Sequence, residues 1–256
     1  VTAIVFALGA YEFIRHDRLR ADAFREAAHS PAAAAERIAE IFGSRTGICH
    51  PLSARDDLDN LVSGLFALER FGVSPFEAAL ESWIARASLW LRLPPPDLSY
   101  GPGQIRLSRA IALMDDDTAA APIKPTSNAH RRRAASRAEI AVALLDACFA
   151  RAVARRLIEM ALRSNPGPAS ARNVLDREQI VELAGVYNAQ VKPADAKAAL
   201  AHQLFNRIAY HLTVHYRYQG ARSDLPQRTQ SSIRPGTEAT ADVMSAIDNP
   251  AAGKRR

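Results

Sequence analysis

Three consecutive prolines, Pro94-Pro95-Pro96, constrain this chain more than any other stretch. None has a backbone N–H to donate and each fixes its own φ, so neither a helix nor a central strand can pass through them. The helical patterning upstream must stop there. It also starts sharply, because Ser74 can cap a helix, Pro75 suits the first helical position and Glu77 completes a capping box. The spacing predicts a helix from Pro75 to about Leu93, and then a loop carrying Ser99-Tyr100-Gly101-Pro102-Gly103-Gln104-Ile105.

The same period organises the rest. Asp22 to His29 and Ala32 to Phe42 read as short helices, and Ser44 to Ser53 as a loop. From Asp56 onward Leu58, Leu61, Val62, Leu65, Phe66 and Leu68 share one face of a helix ending at Gly72. After the Gly-Pro-Gly loop, Ile105, Leu107, Ile111 and Met114 predict a helix that gives way to Asp115-Asp116-Asp117 and a Pro- and Ala-rich linker to about Ser136. Ile140 to Leu162 is expected to be the longest helix. Asp176 and Gln179 cap another, in which Ile180, Leu183, Ala184 and Tyr187 fall on one side, and a last helix spans about Pro193 to Tyr218. No strand pair stands out. The expectation is an all-α chain with an apolar segment over 1–20, a helical domain over 21–218 and a tail over 219–256 whose composition is that of a disordered segment.

With 256 residues, 48% of them hydrophobic and 23% charged, the chain can bury a substantial core. A net charge of +6 and an isoelectric point near 9.7 favour polyanions: nucleic acid, anionic lipid or the acidic polymers of a bacterial wall. Val1 to Ile14 is apolar but shorter than the roughly 20 residues that span a bilayer, and Glu12 interrupts it. It reads either as the remnant of a signal or anchor helix, which would associate the chain with a membrane, or as a buried first helix. Cys49 and Cys148 lack the paired spacing of a zinc site; a disulfide and two reduced thiols both fit, and the reduced pair is taken as the expectation. His211 and His215 have metal-ligand spacing without a third ligand, so no metal is expected. His130-Arg131-Arg132-Arg133, with Arg137, is the concentrated basic run, suited to phosphates or simply to a solvated linker.

The loop draws chemical interest because glycines on either side of Pro102 let a backbone approach a ligand, and the Gln104 amide can both donate and accept. Such groups hold polar polymers. Cleaving a glycosidic bond needs a carboxylic acid that is still protonated near neutrality, which apolar surroundings favour. Glu69, beside Leu65, Phe66, Leu68 and Phe71 in the last turn of its helix, fits best; there the helix dipole also disfavours the carboxylate. Its bland alternative is a solvated pair with Arg70. Glu81, before Ser82 and Trp83, is the rival acid, although its mid-helix position argues against it. Asp97, nearest the loop, is expected to cap the turn after the prolines.

An apolar helix ending in Glu, then Ser-x-Gly-x-x-Gln-Ile opening a helix, then Tyr187-Asn188-Ala189 late on another, resembles the lysozyme-like group of soluble lytic transglycosylases and goose-type lysozymes. The likeness covers residues 56–110 and 176–191. It implies a lysozyme-like helical domain that cleaves peptidoglycan glycan strands with a single Glu as general acid and base and without a cofactor. By position Glu69 becomes the acid, or Glu81 if the helix between Gly72 and Leu93 is no insertion; Ser99, Tyr100, Gly101, Gly103 and Gln104 become glycan contacts, and Tyr187 and Asn188 lie beside the acid. Gly-Pro-Gly replaces the group's usual Gly-Leu-Met, and Gln190 stands where a Gly often follows Tyr-Asn-Ala. The implied place is the bacterial envelope or the exterior, with the cytoplasm left open. Two other readings stand beside it: a basic helical protein that binds nucleic acid or serves as an adaptor, and a lysozyme-like domain that binds glycan without cutting it.

Overall fold

A computed structural model of the chain describes residues 22, 25–42, 49, 56–115, 137–164, 175–188 and 196–223. These residues make an all-α fold with one small hairpin. After a short helical stretch at 25–29 come α1 (Pro31–Phe42), α2 (Asp57–Gly72), α3 (Pro75–Leu91), the two-residue strands β1 (Ser99–Tyr100) and β2 (Ile105–Arg106), α4 (Leu107–Asp115), α5 (Arg137–Ala143), α6 (Ala147–Ser164), α7 (Arg177–Asn188) and α8 (Ala196–Ser223).

Local chemistry sets the helix ends. Ser74 Oγ accepts the Glu77 N–H at 3.1 Å while the Glu77 carboxylate accepts the Ser74 N–H at 2.8 Å, which is the capping box read from the sequence. Asp176 and Gln179 exchange the same pair of bonds at 2.8 and 3.1 Å before α7. Asp56 caps α2 through the Asp59 N–H. Each reciprocal cap satisfies donors that a helix start otherwise leaves orphaned.

Three expectations change. The helix foreseen from Ile140 to Leu162 is two helices, because Asp146 takes the N–H groups of Cys148 and Phe149 on its own carboxylate at 3.0 and 2.9 Å and so starts α6 afresh. The longest helix is α8 instead, 28 residues that continue past Tyr218 to Ser223; Gln219 hydrogen-bonds His215 one turn back at 2.8 Å and Gly220 is buried, so residues 219–223 belong to the helical domain. The cysteines are joined rather than reduced. Cys148 sits in the first turn of α6 as set by Asp146 and is bonded to Cys49 across 99 positions of sequence, with Cα atoms 5.3 Å apart. The apolar segment 1–20, the basic run 130–133 and the tail from 224 lie outside the described residues.

The core sits between α2 and α8. Every residue of α2 from Asp57 to Leu68 is buried except Asp59, and α8 packs along α1, α2 and α7 with Ile208, Ala209, Leu212 and Tyr216 inward. Ionic groups follow the helices inside. The fully buried Asp57 carboxylate receives Arg217 Nε at 2.7 Å and the Leu175 N–H at 2.7 Å, tying α2 to α8 and to the entry of α7. Arg151 donates to the Asp59 carbonyl and to Ser63 Oγ at 2.9 and 2.8 Å. A buried charge is tolerable only when paired in this way. α3 stands outside this arrangement, packed on α5 and the hairpin.

Candidate active site

The Gly-Pro-Gly loop is the tip of the hairpin. Tyr100 pairs with Ile105 and Ser99 with Arg106, and the Gln104 N–H closes the turn on the Gly101 carbonyl at 3.0 Å. Gly101 and Gln104 both have positive φ, +74° and +48°. For glycine this is free, but for glutamine the left-handed region is costly and is held only where the surroundings dictate it.

Packing against the protein by itself accounts for both glycines. A Cβ on Gly101 would coincide with the carbonyl of Leu144, and one on Gly103 would lie 2.6 Å from the Phe66 ring of α2 and 3.1 Å from the Tyr187 hydroxyl. Protein atoms occupy the space beside both. The hairpin is thereby wedged between the break before α6 and the buried face of α2.

The sequence offers Glu69 as the acid and Glu81 as its rival, and their contacts differ. Glu69 is half-buried in the last turn of α2, near enough to Tyr187 to act on it electrostatically: burial first, and then the Glu69 charge, push the Tyr187 phenol well above its ordinary value. Tyr187 itself is buried on α7 and donates its hydroxyl to the Gly103 carbonyl. Glu81, by contrast, meets the loop directly. Gln104 Nε2 reaches both of its oxygens, at 3.1 and 2.9 Å, and the Gly101 carbonyl at 3.2 Å.

The mid-helix place of Glu81 therefore does not disqualify it. α3 carries Ala85 and Ser88 on its buried side, and Glu81 lies one turn earlier on that side, at the edge where the hairpin packs. Burial, opposed by the Gln104 hydrogen bond and reinforced by Glu77 one turn back, pushes the Glu81 carboxyl up to about 7. Its proton is then available near neutrality, and the Gln104 amide can donate to the carboxylate or turn to accept from the acid.

The remaining candidates divide between these two centres. Tyr100 is buried and donates to the Pro96 carbonyl at 3.1 Å; burial, and then Glu81 and Asp97, raise its phenol. Ser99 is half-buried at the hairpin base, and Asn188 is half-buried at the last position of α7. Asp97, expected to cap the turn after the prolines, instead clasps β2 and the start of α4, accepting the Ser108 N–H at 2.7 Å and Arg106 Nε at 3.1 Å. These bonds outweigh its desolvation and hold the carboxyl below its usual range.

Sequence reasoning missed Arg109, whose guanidinium donates to the carbonyls of Val186 and Tyr187 at 3.2 and 3.3 Å and so holds the end of α7 against α4. It also missed Phe66 as the floor under Gly103. Neither has a sequence signature, because both act across more than 35 positions of chain through the fold. Among the described residues no group of His, Cys, Asp and Glu is arranged to hold a metal ion. His215 instead bonds Gln219, and burial lowers the pKa of both His211 and His215. A scan against models of protein families and searches of characterised proteins and of solved structures find no match.

Proposed function

We propose that this chain cleaves the glycan strands of bacterial peptidoglycan as a lytic transglycosylase or lysozyme-like muramidase, with Glu81 as its general acid and base. The observation that carries the proposal is the contact of Gln104 with both oxygens of a carboxyl that burial raises to about 7. A glycosidic oxygen is a poor leaving group until protonated, and a carboxylic acid with such a pKa can protonate it while remaining competent as a base afterwards.

In the transglycosylase form one carboxyl suffices. Glu81 gives its proton to the bridging oxygen as the glycosidic bond breaks, and its carboxylate then takes the proton of the same sugar's 6-hydroxyl as that oxygen closes the anhydro ring. The acid is regenerated without an added water. Gln104 fixes the carboxylate, and the left-handed backbone at Gly101 and at Gln104 itself shapes the turn that carries its amide. Glu69 becomes a neighbour of Tyr187 rather than the proton donor. The resemblance of Ser99-x-Gly101-x-x-Gln104-Ile105 and Tyr187-Asn188-Ala189 to the lytic transglycosylase group supports the substrate class.

The Cys49–Cys148 disulfide supports an oxidising location, the bacterial envelope or the exterior, because such bonds seldom persist in a reducing cytoplasm. The net charge of +6 supports an anionic wall as the partner. The deciding experiment incubates purified sacculi with the full chain and identifies released muropeptides by mass. Anhydro products from a transglycosylase, or reducing-end products from a muramidase, are expected from the wild type and neither from Glu81→Gln. Intact sacculi together with tight, salt-sensitive DNA binding would favour the nucleic-acid reading instead.

A further inference from the structure

α3 has a second face that the proposed chemistry does not use. Phe76, Leu80, Trp83, Ala87 and Trp90 recur at alternating steps of four and three, and Leu91 lies beside them, so they form one stripe along the helix. Five of these six are exposed large hydrophobics, Trp83 at 68% and Trp90 at 82%. Leu93 at 55% continues the patch beyond the helix end. The indoles are seven residues and so about 10 Å apart along the axis. Each ring can cover about 150–250 Å² when buried, which takes the stripe beyond what a monomer ordinarily leaves bare.

We infer that this stripe is an interfacial membrane contact: α3 lies in the headgroup layer of an anionic bilayer, with the aromatic side down. Composition and charge choose the occupant. α3 has only three charged residues in 17, of which Glu77 closes the cap and Glu81 faces the hairpin, leaving Arg86 to border the stripe. Arg86 and, at the helix C-cap, Arg92 are exposed, and neither has an acidic partner among the described residues. Trp and Phe beside Leu with flanking arginines is the make-up of a helix lying in the plane of a membrane, where the long cations reach the phosphates. The chain's charge of +6 adds attraction to the same surface.

Other occupants fit less well. A second copy docked face to face would set the unpaired arginines of two cationic chains together. A sugar would find almost no hydrogen-bonding side chain between the rings, whereas acyl chains need none. Glu81 is turned toward the hairpin, away from the stripe, so a membrane-bound α3 leaves the candidate site uncovered. The inference stands apart from the glycan reading and survives its failure.

Trp83 and Trp90 are the two tryptophans of the chain, so emission excited selectively in tryptophan reports this face alone. Full-length protein mixed with vesicles of phosphatidylcholine and phosphatidylglycerol should float with them and shift its emission to the blue, with a much smaller effect on phosphatidylcholine alone. Trp90→Ala should lower partitioning about tenfold or more while Trp83 still reports. Arg86→Gln and Arg92→Gln should each cost about fivefold on the anionic vesicles. Since all these side chains are exposed, helix content by circular dichroism should not change. Wild-type partitioning of Trp90→Ala combined with Leu80→Ser, or flotation with no shift in emission, would place the contact elsewhere in the chain and overturn the proposal. So would a blue shift that grows with protein concentration without lipid, which marks a second copy, or one evoked by chito-oligosaccharide but not by vesicles.

Discussion

α2 and α3 follow one another with two residues between them and are both rich in apolar side chains, yet one is surrounded by protein and the other is half bare. α2 buries eleven residues, whereas α3 buries Ala85 and Ser88. Apolar content alone does not tell a core helix from a helix meant to be covered by something else. What separates them is the polar residues. In α2, Asp57 and Ser63 point inward and are paired with Arg217 and Arg151, while the two glutamates of α3 occupy its cap and the hairpin edge. The two candidate acids inherit this difference: Glu69 ends the packed helix, and Glu81 lies where the exposed one meets the loop.

The sharpest way to break the comparison is to exchange the roles of the acids. Glu81→Gln keeps the shape and the amide contact but removes the proton, and should lower turnover of sacculi by about 10²–10⁴-fold. Glu69→Gln should leave most of it. If Glu69→Gln is the dead variant and Glu81→Gln is not, the assignment made here from the Gln104 contact is wrong.

Stability should divide the helices next. Leu65→Ala empties a fully buried site on α2 and should cost about 2–5 kcal/mol. Leu80→Ala on the bare stripe of α3 should change stability by less than about 0.5 kcal/mol. Denaturant midpoints of the two variants measure both; comparable losses would mean that α3 is covered by protein after all.

Gly103→Ala probes the wedge between them. Its Cβ would meet the Phe66 ring at 2.6 Å, so the expected cost is overpacking of about 1–3 kcal/mol rather than a selective loss of glycan binding. Phe66→Leu in the same chain should recover part of it. Reduced glycan affinity at unchanged stability would instead support the direct glycan contact expected of this glycine.

Much of this architecture was legible because it is local. Both reciprocal caps, Ser74 with Glu77 and Asp176 with Gln179, are written within four residues, and the inward face of α7 is written in the helical spacing of Ile180, Leu183, Ala184 and Tyr187. The errors have different origins. Asp146 ends one helix and starts the next inside an unbroken apolar pattern, where periodicity has no reason to pause. The hairpin has two residues per strand, too few to alternate visibly. Cys49 and Cys148 are 99 positions apart, and only the folded chain brings them together. In the sequence the mid-helix place of Glu81 argues against it and leaves it the rival of Glu69, although what matters is which side of that helix the hairpin covers, and this is a tertiary fact. The stripe on α3 is present in the sequence as a spacing of four and three, but the same spacing serves a buried face equally well.

The smallest expected effect is also the most diagnostic of Glu81. In the folded chain its carboxyl holds a proton up to about pH 7, against an ordinary value of 4.5 for the unfolded chain. Between these pH values the folded state binds more protons than the unfolded state, so stability falls as pH rises through that window. The contribution is fully present below about 4.5 and lost above about 7. Solvent reaches this half-buried group, which makes the slope shallow. Glu81→Gln should remove that slope and Glu69→Gln should keep it. Urea midpoints measured at intervals across the window decide the matter: wild type and Glu81→Gln falling in parallel would show an ordinary carboxylate, ionised throughout and unfit to deliver a proton near neutrality.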